Sequence, residues 1–341
     1  MTKLIIQIPC FNEGATLAGT MASLPRELPG IDVIETLVID DGSSDDTAAV
    51  AREAGVTYLL RFPTNQGLAR AFSAGLDAAL KLGANIIVNT DADNQYSGDD
   101  VGRLIVPILE GHADMVVGDR APHRVRHFGF WKRLLQRSGS WTVRVLSGTT
   151  VPDATSGFRA FSARAALKLN VLSDFTYTLE TIIQAGKKQI PIAYVRVDAH
   201  EVQRPSRLFS SLSHYVRRSI ATIIRTFALY EPLKFFGVIG IALVAVGLLI
   251  GMRFVWYYVL EGGGGHIQSL ILSAILIIIG FQTLQIALVA DLIGSSRRLV
   301  EDTLLRVRRL ELQLGSSGVD YHDEVLPASE SAVRRSGGQR G

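Results

Sequence analysis

Three oxygen-bearing side chains occupy alternate positions directly after the apolar run ANIIV. They are Asp91, Asp93 and Gln95. Alternating polar residues at the end of a strand often form a turn and nothing more. Carboxylate and amide oxygens also suit Mg²⁺ or Mn²⁺, and Mg²⁺ is commonly held by one or two carboxylates together with substrate phosphates. The spacing therefore predicts either a turn or a metal site that a diphosphate completes.

Two further segments combine a strand end with groups that could bind a nucleotide. In IPCFNE, Phe11 could stack on a base and Glu13 could accept a hydrogen bond from ribose, but a strand-to-helix turn capped by Asn12 would look the same. In VIDDGSSDDT, Asp40 and Asp41 could accept hydrogen bonds from a base N–H or from ribose. Helix capping would explain the later Ser and Asp residues of this segment, but not two acids at the strand end.

The elements that would position these groups alternate along the N-terminal part of the chain. Short apolar runs are separated by helix-patterned stretches, and the runs are KLIIQIP, VIETLVID, VTYLLRF, ANIIVNTD and ADMVVGDR. This pattern predicts an α/β fold of the Rossmann-like kind, with a mostly parallel sheet covered on both faces. Ligands of such sheets bind at the carboxyl ends of the strands. All three polar segments follow strands, so we expect them along one edge.

The composition narrows the class of protein. The chain has 341 residues and a net charge of +3, and this small excess does not indicate a nucleic-acid-binding protein. The single cysteine, Cys10, excludes an internal disulfide and fits a reducing compartment. Hydrophobic residues make up 48% of the chain and the mean hydropathy is +0.24, which points towards a membrane.

Two apolar segments without charged side chains, residues 235–252 and 267–290, predict membrane-spanning helices. Each is near or above the about 18–20 residues that cross a hydrocarbon layer, whereas the alternative, a buried helix of a soluble protein, rarely lacks charge for so long. The link EGGGGH would be a turn. Basic residues flank the hairpin on one side and the link has none, so the positive-inside rule predicts a plasma-membrane protein with a cytoplasmic N-terminal domain.

The predicted organisation begins with the α/β domain at residues 1–208 and an amphipathic juxtamembrane helix at 209–232. The spans are placed at 233–260 and 267–293 with the turn 261–266 between them, followed by a basic cytoplasmic helix at 294–314 and a disordered tail at 315–341. The helix at 209–232 could alternatively pack on its own domain. Gly247-x-x-x-Gly251 in the first span indicates a helix–helix contact.

The succession IPCFNE, VIDDGSSDDT, NQGLARAFSAGL, DADNQY, GDR and DATSGFRAF resembles family 2 glycosyltransferases of the GT-A fold. The resemblance spans residues 3–210 and is strongest to the branch with dolichol-phosphate mannose synthase and bacterial polyprenyl-phosphate glycosyltransferases. It implies metal ligands at Asp91, Asp93 and Gln95. The implied nucleotide residues are Pro9, Phe11, Glu13, Asp40, Asp41 and Asp91, and the implied acceptor-phosphate residues are Ser156, Arg204, Ser206 and Arg207.

The implied reaction is the inverting transfer of a hexose from a nucleotide diphosphate sugar to undecaprenyl or dolichyl phosphate at the cytoplasmic membrane face. UDP-glucose is the first expectation for the donor and GDP-mannose the next. Mg²⁺ or Mn²⁺ would stabilise the leaving diphosphate, and positioning and charge neutralisation would supply most of the remaining assistance. The residues expected to be catalytic are Asp93, Asp153, Arg120 and Arg159. Resemblance to membrane-anchored relatives also implies a homo-oligomer.

Two alternatives to this function stay open. A processive polysaccharide synthase of the same superfamily usually has more membrane spans and a Q-x-x-R-W acceptor motif, which QRSGSW at residues 136–141 does not match. A non-catalytic membrane scaffold that kept a nucleotide-binding fold would have no need of three clustered metal ligands.

Overall fold

The computed structural model describes residues 1–120, 148, 151–171, 177–198, 224–225, 228, 230–261, 267–315 and 325–327. The chain divides into two compact units, Met1–Leu208 with Leu305–Gly341, and Phe209–Leu304. Most of the helix predicted at 209–232 lies outside the described residues. The same holds for three predicted acceptor residues, Arg204, Ser206 and Arg207.

A mixed β-sheet forms the centre of the first unit. Its strands are β1 (Lys3–Cys10), β2 (Val33–Asp40), β3 (Tyr58–Arg61), β4 (Ile86–Asn89), β5 (Met115–Asp119), β6 (Arg159–Ser162), β7 (Ile192–Arg196) and β8 (Val325–Pro327). Across the sheet they follow the order β7-β5-β6-β4-β1-β2-β3-β8. Pairing is parallel from β4 through β1 and β2 to β3, and between β5 and β7, while β6 is antiparallel to both β4 and β5. The predicted mostly parallel α/β sheet is confirmed.

Helices follow the strands as the periodicity predicts. They are α1 (Gly14–Ser23), α2 (Thr47–Glu53), α3 (Leu68–Lys81), α4 (Asp100–Leu109), α5 (Ala163–Lys168) and α6 (Tyr177–Lys187). Helix α3 buries Phe72 and Leu76. Gly67 directly before α3 has φ of 96°, a left-handed conformation that glycine adopts without the Cβ penalty. The chain can therefore turn sharply from the loop after β3 into α3.

The apolar strands build the core on which the strand-end loops rest. In β1 every residue from Leu4 to Cys10 is buried. Leu4, Ile6 and Ile8 join side chains of β2 and β4 in one buried cluster. Burying a large aliphatic side chain contributes about 1.5–3 kcal/mol, so this platform holds the ends of its strands at defined positions.

The second unit contains most of two long helices, α7 (Pro232–Glu261) and α8 (Ile267–Gly315). Both are long and apolar enough to cross a membrane, with mean hydropathies of 2.6 and 2.2. Helix α8 has 49 residues. At 1.5 Å per residue it is about 70 Å long, more than twice the about 30 Å of a hydrocarbon layer. The basic helix predicted at 294–314 is therefore not a separate element, since the helical ladder continues through it with an Arg297–Glu301 ion pair one turn apart.

Small residues form the seam between α7 and α8. Ser273 Oγ donates a hydrogen bond to the Gly247 carbonyl oxygen at 2.7 Å. A Cβ atom on Gly280 would lie 2.9 Å from the Gly240 carbonyl oxygen, and one on Gly251 would lie 2.8 Å from Ser273 Oγ. The contact that Gly247-x-x-x-Gly251 predicts is thus made inside the hairpin, where close backbone approach needs residues without a side chain.

Part of the tail predicted to be disordered has regular structure. Residues Val325–Pro327 form β8 and pair antiparallel with β3. Without β8, strand β3 would expose a row of unpaired N–H and C=O groups, and such an edge readily accepts an additional strand. Three residues of the segment predicted as a disordered tail thus belong to the sheet.

Candidate active site

The segments predicted to form a site meet at one edge of the sheet. Parallel pairing of β1 with β2 and β4 brings residues 11–13, 40–41 and 90–95 to the same end. Because β6 runs antiparallel to β4 and β5, the loop 153–158 before β6 and residue 120 after β5 reach that edge as well. The edge therefore collects residues from five separate parts of the chain.

Asp91, Asp93 and Gln95 lie on the loop that follows β4, and all three side chains are partly exposed. Asp93 Oδ1 accepts a hydrogen bond from the Gln95 backbone N–H at 3.1 Å. Asn94 between them has φ of 56°, a conformation in which asparagine is enriched. The carboxylate of Asp91 has no hydrogen-bond partner in the part of the chain that the structure describes.

The two carboxylates are costly to ionise without a cation. Burial, reinforced by the charge of Asp93, raises the pKa of Asp91 to about 6. Burial also raises the pKa of Asp93. Within the described residues no group of three or more His, Cys, Asp or Glu side chains could hold a metal ion. Two carboxylates and an amide fit a Mg²⁺-type ion whose remaining ligands come from water and phosphate, as is usual for that ion.

The space beside Asp91 exists because residue 157 is glycine. A Cβ atom on Gly157 would lie 2.8 and 2.9 Å from the two carboxylate oxygens of Asp91, and 2.9 Å from the Tyr177 hydroxyl. Real Cβ atoms are essentially never found that close to another heavy atom. The backbone of Gly157 therefore forms one wall of the site, against the face of the Asp91 carboxylate.

The loops after β1 and β2 are joined by hydrogen bonds. Asn12 has φ of 55°, and its backbone N–H donates to Ser43 Oγ at 2.9 Å. Its side-chain Oδ1 accepts from the Ser44 N–H at 2.9 Å. These contacts leave Phe11 42% exposed at the edge. Glu13, which accepts from Thr16 Oγ1 at 3.0 Å, is also partly exposed. Both side chains are accessible to a nucleotide, as their predicted roles require.

Two residues predicted to contact the nucleotide are buried. Pro9 lies inside β1 and is buried. Asp40 is completely buried, accepts a hydrogen bond from the Ser43 N–H at 2.8 Å and pairs with Arg61 Nε at 3.0 Å. In this arrangement Asp40 shapes the turn after β2 through Oδ1 and pairs with Arg61 through Oδ2, and its direct contact with the nucleotide stays a prediction.

Asp41 also turns inwards. Its carboxylate accepts hydrogen bonds from the backbone N–H groups of Gln66 and Gly67 at 2.7 and 2.9 Å, and from Asn65 Nδ2 at 3.1 Å. Burial raises its pKa, although the two backbone donors act in the opposite direction. Asp41 is 3% exposed and holds the loop that leads into α3, and its predicted contact with the nucleotide stays a prediction.

Arg120 and Asp153, predicted from separate motifs, form a bidentate ion pair. Arg120 Nε and Nη2 lie 2.8 and 3.2 Å from the two carboxylate oxygens, and Nη2 also donates to Thr155 Oγ1 at 2.9 Å. Burial alone would raise the pKa of Asp153, but the charge and hydrogen bonds of Arg120 keep it below its usual range. The Asp153 side chain is 2% exposed and that of Arg120 is 20% exposed. Asp153 thus orients the guanidinium, and Arg120 is the more exposed member of the pair; the catalytic roles expected for both stay predictions.

Ser156 and Arg159 lie in the interior of the protein. Both side chains are completely buried. The guanidinium of Arg159 donates to the carbonyl oxygens of Ala154, Ser156 and Thr178 at 3.0, 2.8 and 2.7 Å. Burial lowers its pKa to about 10, so it stays charged at neutral pH. Arg159 holds the loop before β6. The catalytic role expected for Arg159 and the acceptor-phosphate role expected for Ser156 stay predictions.

The sequence analysis missed three buried polar residues beneath the site, which are Gln7, Asn89 and Tyr177. Gln7 and Asn89 are register partners on β1 and β4, and both are completely buried. Asn89 Nδ2 donates to the hydroxyl of Tyr177 at 3.0 Å. A polar residue inside an otherwise apolar run, as in KLIIQIP and ANIIVN, was the available sign of this network.

Comparison with known proteins defines the class. The model of the family "Glycosyl transferase family 2" matches residues 5–169, which include the loops after β1, β2 and β4 and the segment 153–159. The chain belongs to this family and is a glycosyltransferase.

Individual relatives are polyprenyl-phosphate sugar transferases. The UDP-N-acetylglucosamine–dolichyl-phosphate N-acetylglucosaminyltransferase of Methanococcus voltae is 29% identical over 220 residues, covering 57% of this chain and 85% of the relative. The polyprenol monophosphomannose synthase of Mycolicibacterium smegmatis is 28% identical over 176 residues, covering 50% of this chain and 65% of the relative.

A solved structure has the same fold. Glucosyl-3-phosphoglycerate synthase from Mycobacterium tuberculosis, in complex with phosphoglyceric acid, superposes with a TM-score of 0.53 at 24% identity. The match covers 66% of this chain and 80% of that one. The predicted GT-A fold is confirmed.

Proposed function

We propose that this glycosyltransferase moves a hexose from a nucleotide diphosphate sugar to the phosphate of a polyisoprenyl lipid, with inversion at the anomeric carbon. The observation that carries the proposal is the Asp91–Asp93 pair at the strand edge, where one carboxylate has no hydrogen-bond partner in the described chain. The names of the two relatives support a polyprenyl-phosphate acceptor. UDP-glucose is our first proposal for the donor and GDP-mannose the second.

Asp91, Asp93 and Gln95 would hold a divalent cation, Mg²⁺ or Mn²⁺, together with the donor diphosphate. When bound, such a cation acts as a Lewis acid that stabilises the leaving nucleotide diphosphate. The protein contributes the position of the two carboxylates and the space that Gly157 leaves beside them. The raised pKa of Asp91 fits this role, because a divalent cation would supply the positive charge that offsets the two carboxylates and the anionic diphosphate.

The exposed residues of the neighbouring loops would bind the rest of the donor. Phe11 offers an aromatic face at 42% exposure, on which a base can stack. Glu13 can accept hydrogen bonds from ribose hydroxyls. Asp40 and Asp41 would support nucleotide binding by holding in place the two loops between which the nucleotide would lie.

The positively charged side chain of Arg120 lies at the same edge and would contact the acceptor phosphate or the transferring sugar. Its partly exposed guanidinium is oriented by two hydrogen bonds to Asp153. Arg204, Ser206 and Arg207 remain proposed acceptor-phosphate residues. A lipid phosphate is already anionic near neutral pH, so it can attack without a strong general base, and charge neutralisation is the main requirement.

A membrane location follows from the acceptor and from the two long apolar helices. A polyisoprenyl chain stays in the bilayer, so the transferase must act at the headgroup level. Helices α7 and α8 meet the length and composition that a membrane crossing needs. We propose a two-span protein of the plasma membrane whose catalytic unit faces the cytoplasm, because the basic flanks of the hairpin favour that orientation.

The test is a transfer assay on the purified full-length chain in detergent. Undecaprenyl phosphate and Mn²⁺ or Mg²⁺ are supplied with a panel of donors: UDP-glucose, GDP-mannose and UDP-N-acetylglucosamine. Asp93→Asn removes one proposed ligand charge. Asp99→Asn is the matched control, because Asp99 is exposed on the same loop and its side chain makes no capping hydrogen bond.

We expect one donor to give a metal-dependent glycolipid, lost in Asp93→Asn and kept in Asp99→Asn. A product with many sugars per lipid would favour a polysaccharide synthase instead. Binding of a nucleotide and metal without transfer from any donor would refute the proposed acceptor. Absence of both binding and transfer would favour a non-catalytic scaffold.

A further inference from the structure

A row of buried polar side chains crosses the sheet directly beneath the proposed metal site. Asn89 on β4 is the register partner of Gln7 on β1 and of Arg159 on β6. All three are completely buried. Polar groups are costly to bury unless they are hydrogen-bonded, so a row of three inside apolar strands requires a specific set of partners.

Asn89 connects this row to the wall of the site. Its Nδ2 donates to the carbonyl oxygen of Gly157 at 2.9 Å and to the hydroxyl of Tyr177 at 3.0 Å. Its Oδ1 accepts from Gln7 Nε2 at 2.9 Å, which fixes the orientation of the amide. The Tyr177 hydroxyl lies 3.4 Å from the same Gly157 oxygen, so the Asn89 bond is the shorter of the two.

Arg159 holds the preceding residues of the same loop. Its guanidinium donates to the carbonyl oxygens of Ala154 and Ser156, at 3.0 and 2.8 Å. Thr181 Oγ1 on α6 accepts a further hydrogen bond from Nη1 at 2.6 Å. Residues 154–157 are therefore fastened from inside the protein by two side chains of adjacent strands.

The loop of residues 154–157 limits the space beside the Asp91 carboxylate. The Gly157 backbone sits so close that a single Cβ atom there would come within 2.9 Å of both Asp91 oxygens. No side chain of the described residues hydrogen-bonds the Asp91 carboxylate. Among the described residues, the Gly157 backbone is therefore the close neighbour that limits where the Asp91 carboxylate can lie.

We propose that Asn89 is a positioning residue for the metal ligand Asp91, acting through its hydrogen bond to the Gly157 carbonyl. This inference rests on the proposed function, since it assigns Asp91 to the metal. Mg²⁺ demands nearly ideal coordination geometry, and residues that orient ligands from outside typically change metal affinity or activity 10–100-fold when mutated. Asn89 would therefore affect metal binding without touching metal, nucleotide or lipid.

The discriminating variant is Asn89→Asp, which has nearly the same shape. A carboxylate can still accept hydrogen bonds from Gln7 and from the Tyr177 hydroxyl, but it presents an oxygen to the Gly157 carbonyl and repels it. Tyr177→Phe is the matched control from the same network. It removes the hydroxyl but keeps the Asn89–Gly157 bond and the stacking of the ring on Phe72 at 3.9 Å.

The readout is Mn²⁺ binding measured by electron paramagnetic resonance in the presence of UDP or GDP, with thermal unfolding recorded for each metal-free variant. We expect Asn89→Asp to raise the Mn²⁺ dissociation constant about 10-fold or more. Tyr177→Phe should leave it within about twofold, although both variants lower the unfolding temperature. In the transfer assay the Mn²⁺ concentration giving half-maximal rate should rise in the same proportion for Asn89→Asp.

Gly157→Ala keeps the test decisive if Asn89→Asp fails to fold, because it moves the wall without altering Asn89. We expect it to weaken Mn²⁺ binding at least as much. Equal Mn²⁺ constants in the wild type and in whichever of these two variants folds would overturn the inference while leaving the proposed function intact. A wild-type protein that binds no Mn²⁺ with either nucleotide would refute the metal site itself, and the positioning role with it.

Discussion

Replacing Asp91 by asparagine should stabilise the protein while abolishing its activity. The pKa of Asp91 rises from its ordinary 3.8 to about 6, because burial and the charge of Asp93 disfavour the ionised form. Each pKa unit corresponds to about 1.4 kcal/mol, so the full shift amounts to about 3 kcal/mol. Partial exposure and the buried amide of asparagine reduce the gain, and we expect about 1–2 kcal/mol at pH 7.5.

The sign of this effect follows from the protons bound in each state. Between pH 4 and pH 6 the native protein holds a proton on Asp91 that the unfolded chain releases, so rising pH destabilises the native state through this group. Above about pH 6 the native carboxylate is ionised and the penalty is complete. The stability difference between Asp91→Asn and wild type should therefore be small near pH 4.5 and reach its maximum above pH 7. Because the charge of Asp93 contributes to the raised pKa of Asp91, part of this gain depends on Asp93 being ionised.

The assay is thermal unfolding of metal-free protein in detergent over this pH range, with Asp99→Asn as the control for removing an exposed carboxylate. For a catalytic unit of this size, 1–2 kcal/mol corresponds to a shift of about 2–8 °C. A loss of stability in Asp91→Asn at pH 7.5, or a difference that does not change with pH, would refute the reasoning. Added Mn²⁺ with nucleotide should stabilise the wild type and not the variant.

Four further predictions concern the metal, the ion pair, the hairpin and the topology. Mn²⁺ affinity in titration calorimetry should rise between pH 5 and pH 7, because a cation binds Asp91 only as the carboxylate; a flat profile would contradict its role. Arg120→Lys should lower turnover about 10-fold or more in steady-state kinetics with a nearly unchanged KM for the donor, since lysine cannot form the bidentate pair; unaltered turnover would exclude Arg120 from the reaction. Gly280→Val should lower the unfolding temperature by several degrees or prevent accumulation in the membrane, because any Cβ atom there would lie 2.9 Å from a backbone oxygen of α7. An unchanged unfolding temperature would contradict the close packing of α7 against α8 at Gly280. A cysteine introduced at position 263 in a Cys10→Ala background should react with an impermeant thiol reagent from outside intact cells, and labelling only after lysis would reverse the proposed orientation.

The arrangement of strands could be predicted because the apolar periodicity repeats along the chain. KLIIQIP, VIETLVID and ANIIVNTD become β1, β2 and β4, and their parallel pairing brings the following loops together. The accessible members of the site, Phe11, Glu13 and the Asp91–Gln95 segment, follow directly from that pattern.

The direction in which each polar side chain faces could not be predicted in the same way. A carboxylate at a strand end can accept hydrogen bonds from a ligand or from the N–H groups of the next loop, and Asp40 and Asp41 do the latter. Arg120 and Asp153 lie 33 positions apart, so their pairing depends on the antiparallel insertion of β6 between β4 and β5. Asn89 became significant only through its register with Arg159.

The most direct test of the central claim is mass spectrometry of the lipid product formed by the purified chain. The protein is incubated with undecaprenyl phosphate, Mn²⁺ and each nucleotide sugar in turn, and Asp93→Asn is run beside it. The account predicts a lipid phosphate carrying one hexose from a single donor, absent without Mn²⁺ and absent in the variant. A glycolipid that forms equally well without a divalent cation, or in Asp93→Asn, would contradict the assignment of the Asp91–Asp93 pair.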